Sequence, residues 1–285
     1  GEAPLPFSWL LFGSAGRHEL VFKSRQTNGI LYGDSPDEKT AREARKYFRI
    51  LSERAVKHLI ACGYPSDAGD INAANMKWRQ PQSVWETYFG DWCGFQDPEE
   101  NLDPAIFFDF RSGAGSASLA EKLKEQVHAL TRENDQFLRY LVQNCVSVEP
   151  PLSFYGNSVV EKDGQYGETL DLEGRGLAFF VDFARAMSLK YGIRKTNTLE
   201  RLRSLLEKQL VPNDLGSELV EAYELLMHIK LFHQLNLMED GRKPDNNIRP
   251  DDLSDLEKQT LKEVFEVIRR LQGLARLEFG FPKKS

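Results

Sequence analysis

The sequence predicts an α+β fold, in which a small mixed sheet with flanking helices is followed by an all-α helical bundle. Two observations carry this prediction. Short apolar runs bounded by glycine, which are typical of buried strands, occur in the first third of the chain. From about residue 117 onward, apolar residues instead recur at the helical period. We therefore expect one domain over residues 1–116 and a helical domain over residues 117–285.

Three strands are expected in the first domain. Residues 9–12 and 29–32 are apolar runs next to glycine, and residues 105–110 read AIFFDF. The third run contains one charged residue, Asp109, between two phenylalanines. An acid flanked in this way is expected to point from a strand into a polar cleft.

Helix signals account for most of the remaining chain. A long helix with apolar or small residues at helical spacing should end at Gly63, and residues 64–82 are predicted to form a long loop. The polar residues 156–172 are expected to form a β-hairpin or an irregular excursion. Helix-capping residues are predicted at Ser35, Ser83, Ser118, Asn197 and Ser254, each with Glu three residues later.

Composition limits the possible classes of function. The chain has 43 acidic and 37 basic residues, giving a net charge of −6, which argues against non-specific nucleic-acid binding. No apolar run approaches the roughly 20 residues that span a bilayer. The three cysteines fit no zinc or redox spacing, so reduced thiols in a cytoplasmic protein are expected. The N-terminus enters an apolar run almost at once, as an excised fragment would, so we expect further domains before it.

Residues 12–32 hold the most informative motif. They read FGSAGRHELVFKSRQTNGILY, with a small-residue turn after the first apolar run. The patterns G-S-x-G-R-x-E and S-x-Q-x-N-G-I-x-Y in this stretch resemble nucleotidyltransferases related to the uridylyltransferases that modify PII signalling proteins. These enzymes belong to the DNA polymerase β nucleotidyltransferase superfamily. The resemblance continues through residues 62–65, 75–78, 107–111, 196–202, 233–234, 244–248 and 253–257.

The resemblance implies roles for several residues of the motif. Gly13 and Ser14 match the phosphate-binding turn, with Arg17 and Glu19 beside them in the nucleotide-binding motif. Asp109 matches the third carboxylate of a Mg²⁺ site. Family members clamp Mg²⁺ with this acid and an Asp-x-Asp pair, whose members share one face because they are two residues apart on a strand.

Arg25 and Thr27 occupy the positions of that Asp-x-Asp pair. Arginine is a permanent cation without an acceptor, and threonine offers only a neutral hydroxyl, so neither can replace a metal-binding carboxylate. Three explanations remain open. Arg25 replaces the metal in a natural pseudoenzyme; the pair was changed in the laboratory; or the nearby acids Asp34, Asp67 and Asp70 substitute.

The residues that follow residue 75 have weaker signals. Lys77 and Arg79 either contact a nucleotide phosphate or lie in a solvated loop. Trp78 and Trp85 are expected in the core rather than stacked on a base.

Two functions are therefore compatible with the sequence. The resemblance implies transfer of a nucleoside monophosphate from a nucleoside triphosphate to an acceptor hydroxyl, with impaired activity because of Arg25 and Thr27. The alternative is a catalytically dead nucleotide-binding or protein-interaction module in signal transduction. The expected partners are a nucleoside triphosphate and either a protein acceptor or upstream sensor domains, with no nucleic acid and no membrane.

Overall fold

A four-stranded sheet forms the centre of the N-terminal part. Its strands are β1 (Phe7–Phe12), β2 (Asn28–Tyr32), β3 (Arg79–Pro81) and β4 (Phe110–Gly115), in the order β3-β2-β1-β4. Strand β1 is antiparallel to β2 and β4, and β3 runs parallel to β2. The predicted strands at 9–12 and 29–32 are confirmed, and β2 is buried along its whole length because it lies inside the sheet.

This computed structural model describes residues 1–22, 24–95, 103–150, 161–163 and 167–282. The chain divides into two compact units. The first unit comprises residues 1–20 and 24–137, and the second comprises residues 21–23 and 138–285. The sequence prediction placed the division between residues 116 and 117.

The helices of the first unit pack against the sheet and against each other. They are α1 (Gly13–Gly16), α2 (Glu38–Ala61), α3 (Gln82–Cys93) and α4 (Ala117–Thr131). Phe48 of α2 is fully buried and stacks on Tyr32 of β2, with ring centroids 4.8 Å apart. Helix α4 buries Ala120, Leu123 and Val127 and packs on α3 and β4, and for this reason it belongs to the first unit.

Aromatic side chains fill the core between α3 and the sheet. Trp85 and Phe89 are fully buried, and Trp92 stacks on Phe107 at a centroid distance of 4.6 Å. Trp78 is 2 % exposed and packs 4.6 Å from Phe107. The prediction that Trp78 and Trp85 belong to the core is confirmed.

The predicted long loop at residues 64–82 is only partly a loop. A 3₁₀ helix over Met76–Trp78 leads directly into β3, which adds a parallel strand beside β2. Three residues are too few to show a strand periodicity, and β3 forms because β2 offers an unpaired edge. The prediction of a strand over 105–110 is wrong, because Pro104–Phe108 form a 3₁₀ helix and the strand begins at Phe110.

The second unit is largely helical. Its helices are α6 (Gln143–Ser147), α7 (Ala178–Lys190), α8 (Thr198–Glu207), α9 (Asn213–Glu239) and α10 (Asp255–Glu278), while α5 (Asp135–Leu141) spans the division between the units. Helix α10 buries an apolar stripe that includes Leu261, Phe265 and Ile268. A π-helical turn over Glu173–Leu177 precedes α7. No helix among the described residues is both long and apolar enough to cross a membrane.

A small sheet accompanies these helices. Strands β5 (Glu161–Asp163), β6 (Gly167–Asp171) and β7 (Asn247–Ile248) pair antiparallel in the order β5-β6-β7. The described part of the polar insert therefore forms the predicted hairpin pairing. The rest of that prediction, over residues 156–160 and 164–166, lies outside the described residues.

Two of the five predicted helix caps are present in the structure. Asn197 accepts a hydrogen bond from the Glu200 N–H, and Ser254 forms the full capping box with Glu257, so both predictions are confirmed. The other three are wrong: α2 is capped by Asp37, α3 begins at Gln82, and α4 begins at Ala117.

Candidate functional site

The turn after β1 depends on two glycines. Gly13 has a φ of +55°, in the left-handed region that favours glycine, and a side chain there would lie 2.8 Å from Ile106 Cγ1. At Gly16 an added Cβ would lie 2.0 Å from the carbonyl oxygen of Asp109. The turn therefore packs directly on the backbone that leads into β4, and only glycine fits at position 16.

Ser14 lies between these glycines and is half-buried. Its backbone carbonyl accepts the Glu19 N–H at 2.8 Å. Its hydroxyl has no hydrogen-bond partner within the described part of the chain. The Ser14 side chain is therefore available to a ligand at the end of β1.

A buried ion cluster joins the turn to Asp109. Arg17 Nη1 donates to Asp109 Oδ2 at 2.8 Å, and Arg17 Nε donates to Glu19 Oε2 at 2.6 Å. Arg17 is 7 % exposed, Asp109 is 0 % exposed and Glu19 is 9 % exposed. Burial by itself would lower the pKa of the guanidinium, but Asp109 and Glu19 outweigh it and hold the Arg17 pKa above its usual range.

Asp109 is consequently placed differently from the sequence prediction. It lies at the end of the Pro104–Phe108 3₁₀ helix rather than inside a strand, and it is fully buried rather than facing an open cleft. The reason is the close approach of Gly16 to the Asp109 backbone, which brings the carboxylate against Arg17. A residue between two phenylalanines can be directed at a buried cation as well as at a cleft, and sequence alone does not distinguish them.

Arg25 and Thr27 have contrasting environments. The Thr27 hydroxyl donates to the Phe12 carbonyl at 3.0 Å, and the Phe12 N–H donates to the Thr27 carbonyl at 3.1 Å. Thr27 is buried, and these two hydrogen bonds hold it beside the end of β1. Arg25 is exposed and makes no hydrogen bond or ion pair within the described residues. Both precede β2, which begins at Asn28.

The alternative acids near this segment hold local structure. Asp34 Oδ1 accepts the N–H of Ser83 and so caps the first turn of α3. Asp67 accepts the Gly69 N–H, and Asp70 accepts from the Asn72 side chain at 2.6 Å. None of these three acids contributes to a metal-binding group: among the described residues, no three His, Cys, Asp or Glu side chains lie where they could hold a metal together.

These positions decide whether the Mg²⁺ implied by the resemblance fits. Mg²⁺ requires oxygen ligands, usually one or two carboxylates, at about 2.0–2.1 Å. Position 25 carries an exposed cation, the Thr27 hydroxyl is directed at a carbonyl, and Asp109 is in contact with Arg17. The residues present therefore do not fit a metal site of the Asp-x-Asp type.

A buried polar network, which was not predicted from the sequence, lies beside residues 25–27. The Asn28 carboxamide donates to Gln26 Oε1 at 3.0 Å and accepts the Ala73 N–H at 2.9 Å. Arg79 Nη1 donates to the Ser52 hydroxyl and to the Ala73 carbonyl. Burial lowers the pKa of Arg79, and Glu53 partly offsets this effect. The prediction that Arg79 lies in a solvated loop or contacts a phosphate is replaced by a role in holding the residues before β3.

The signal for this network was present in the sequence. Gln26 and Asn28 belong to the S-x-Q-x-N-G pattern, and Arg79 follows the motif at 75–78. Polar residues next to apolar runs indicate either a site or buried hydrogen bonding, and only the fold shows that these are buried.

Comparison with known protein families gives two matches. Residues 1–99 match a family model described as putative nucleotidyltransferase DUF294. Residues 135–279, more than half of the chain, match a model described as putative nucleotidyltransferase substrate binding domain. No curated protein matches the chain. The first match contains the turn–strand motif, and the second covers most of the helical unit. The protein therefore belongs to this nucleotidyltransferase family.

Proposed function

We propose that this protein binds a nucleoside triphosphate through its first unit without catalysing Mg²⁺-dependent nucleotidyl transfer, and that it acts as a regulatory module. The observation that carries the proposal is the 25–27 segment, where an exposed arginine and a threonine hydrogen-bonded to a carbonyl stand at the positions that the resemblance assigns to the Asp-x-Asp pair. Nucleotidyl transfer in this superfamily relies on metal ions to stabilise the charge that develops on the phosphates. Without carboxylates at those positions, the described residues lack the acid pair that would hold such ions, and no three of their His, Cys, Asp or Glu side chains could hold a metal together.

The turn supports retained phosphate binding. Gly13 has a φ of +55°, Gly16 lies against the Asp109 carbonyl, and the Ser14 hydroxyl between them is not used by the described protein residues. A hydroxyl at such a turn is suited to donate a hydrogen bond to a phosphate oxygen.

Arg25 supports binding without a metal. It lies two residues from Thr27, which is bonded to Phe12 immediately before the turn, so its backbone lies within about 7 Å of Thr27. Its guanidinium is exposed and has no carboxylate partner among the described residues. A guanidinium recognises phosphate oxygens through paired N–H donors and would supply part of the positive charge that Mg²⁺ otherwise provides.

The test is calorimetric titration of each nucleoside triphosphate, first with Mg²⁺ and then with EDTA, alongside an assay for pyrophosphate release. We expect binding to persist in EDTA, no release of pyrophosphate, and binding about tenfold weaker in Arg25→Ala. Arg54→Ala on α2, which also removes an exposed arginine, is the matched control and should not change the affinity.

Three results would contradict the proposal. Binding that requires Mg²⁺ would mean that other acids assemble a metal site when nucleotide is present. Pyrophosphate release would show an active enzyme. Absence of binding to every triphosphate would leave a scaffold that retains the family fold alone.

The active-enzyme alternative is favoured by the family match over both units. In that case the protein transfers a nucleoside monophosphate to an acceptor hydroxyl, as the resemblance to PII uridylyltransferases implies. The double variant Arg25→Asp with Thr27→Asp separates lost metal ligands from a lost site. We expect it to gain Mg²⁺-dependent triphosphate binding of about tenfold, while Arg25→Asn with Thr27→Asn should gain none.

The partners and the location complete the proposal. A module that binds nucleotide without turnover can act only by passing its binding state to another protein, so we propose sensor domains as its partner; a protein acceptor belongs to the active-enzyme alternative. The three cysteines are unpaired, which supports a reducing compartment such as the cytoplasm.

A further inference from the structure

A long groove lies between α9 and α10 in the second unit. The two helices run antiparallel, because Arg270 near the end of α10 pairs with Asp214 and Glu218 near the start of α9. Two cavities of about 440 and 370 Å³ follow this groove and share Leu225 and Thr260 in their walls. The α9 residues that line it extend from Glu218 to Asn236, which corresponds to about 27 Å at 1.5 Å per residue.

Helix α9 is apolar on two faces. One face contributes Leu219 and Leu226 to the core of the unit, and both are essentially unexposed. A second stripe, Leu225, Ile229 and Phe232, recurs at i, i+4 and i+7 and lines the groove. A surface helix of a globular protein ordinarily has one apolar stripe, so the second stripe indicates a further packing partner.

The apolar surface at one end of the groove is strongly exposed. Phe232 is 63 % exposed, and Leu256 on the opposite wall is 77 % exposed. Exposed large apolar side chains that face each other across a groove are typical of surfaces that receive a helix. The length of the groove corresponds to about 18 helical residues, or five turns.

The charges that line the groove indicate what kind of helix it would bind. The acidic residues that line the two cavities are Glu218, Glu221, Asp252, Glu257, Glu263 and Glu266. Of the two cations there, Lys262 and Arg270, the second is already paired with Asp214 and Glu218. Within the described part of the chain, Glu221 and Asp252 make no ion pair. An acidic rim around an apolar floor favours an apolar stripe flanked by Lys or Arg.

We infer that this groove binds an amphipathic helix of a partner protein, with its apolar stripe against Leu225, Ile229 and Phe232 and basic residues beside the acidic rim. A second copy using the same surface would bring the two acidic rims together, which is unfavourable. The acidic rim equally disfavours a nucleic acid. The inference does not depend on nucleotide binding, since every residue in it belongs to the second unit.

The experiment uses two labelled synthetic 18-residue peptides and the full chain. Both peptides carry Leu at alternating spacings of three and four, and the flanking positions are Lys in one and Glu in the other. We expect fluorescence anisotropy to show at least tenfold tighter binding of the Lys peptide, with the difference reduced at high salt. Equal binding of both peptides, or no binding of either, would overturn the inference.

Variants locate the binding. Phe232→Asp should weaken binding of the Lys peptide at least tenfold, whereas Leu277→Asp, which changes a 72 % exposed leucine outside the groove, should leave it unchanged. Glu221→Lys with Glu263→Lys should abolish the preference for the Lys peptide. All four positions are at the surface, so circular dichroism should show an unchanged fold. A dimer in sedimentation that Phe232→Asp disrupts would instead identify a second copy as the occupant and overturn the inference.

Discussion

Two regions near the end of β1 are constrained very differently: the turn cluster, comprising Gly13, Gly16, Arg17, Glu19 and Asp109, and the segment over residues 25–27. In the turn cluster every member is buried: Gly13 lies close to the Ile106 side chain, Gly16 lies close to the Asp109 carbonyl, and Arg17 forms ion pairs with Glu19 and Asp109. In the segment, Arg25 is exposed and Thr27 makes one side-chain hydrogen bond. The turn cluster is therefore the more tightly constrained region, and residues 25 and 27 are the less constrained one.

The largest loss of stability is expected when Arg17 is changed. Arg17→Met removes the guanidinium that contacts both Asp109 and Glu19, and breaking a buried ion pair of this kind costs about 3–5 kcal/mol. Urea unfolding followed by tryptophan fluorescence measures the change in the first unit, because all four tryptophans lie there.

The same substitution in the segment is the matched control. Arg25→Met alters an exposed side chain and should change the free energy of unfolding by no more than about 0.5 kcal/mol. Equal losses for Arg17→Met and Arg25→Met would show that the turn cluster is not the more constrained region.

A smaller loss is expected at Gly16. Gly16→Ala places a Cβ against the Asp109 carbonyl, and overpacking of a rigid backbone contact costs about 1–3 kcal/mol. Thermal unfolding measures it. Gly90→Ala, in α3, meets no atom within 4 Å and should stabilise by about 0.5–1 kcal/mol because alanine favours a helix. A neutral Gly16→Ala would argue against the close approach of the turn to β4.

A still smaller loss is expected at Thr27 than at Gly16. Thr27→Val keeps the shape but removes the donor to the Phe12 carbonyl, and a net loss of about 1 kcal/mol follows. Thr27→Ser keeps the hydroxyl and should recover part of that loss in the same urea experiment. If valine were neutral, the hydrogen bond to Phe12 would not be what positions the segment beside β1.

The helix caps show how far local sequence rules reach. Asn197 and Ser254 cap helices whose first turns are determined by neighbouring residues alone, and both were predictable. At α3 the N–H of Ser83 is instead accepted by Asp34, 49 residues earlier in the chain. A rule that examines four consecutive residues cannot anticipate such a partner.

The sequence by itself determined the α+β class, strands β1 and β2, the helical second unit and the turn at Gly13, because each depends on periodicity or on local backbone preference. Only the tertiary structure decided that Asp109 contacts Arg17, that β3 joins the sheet and that Arg79 is buried. Each of these depends on contacts between residues far apart in the chain, and the partner of a charged side chain is set by the backbones that the fold brings together.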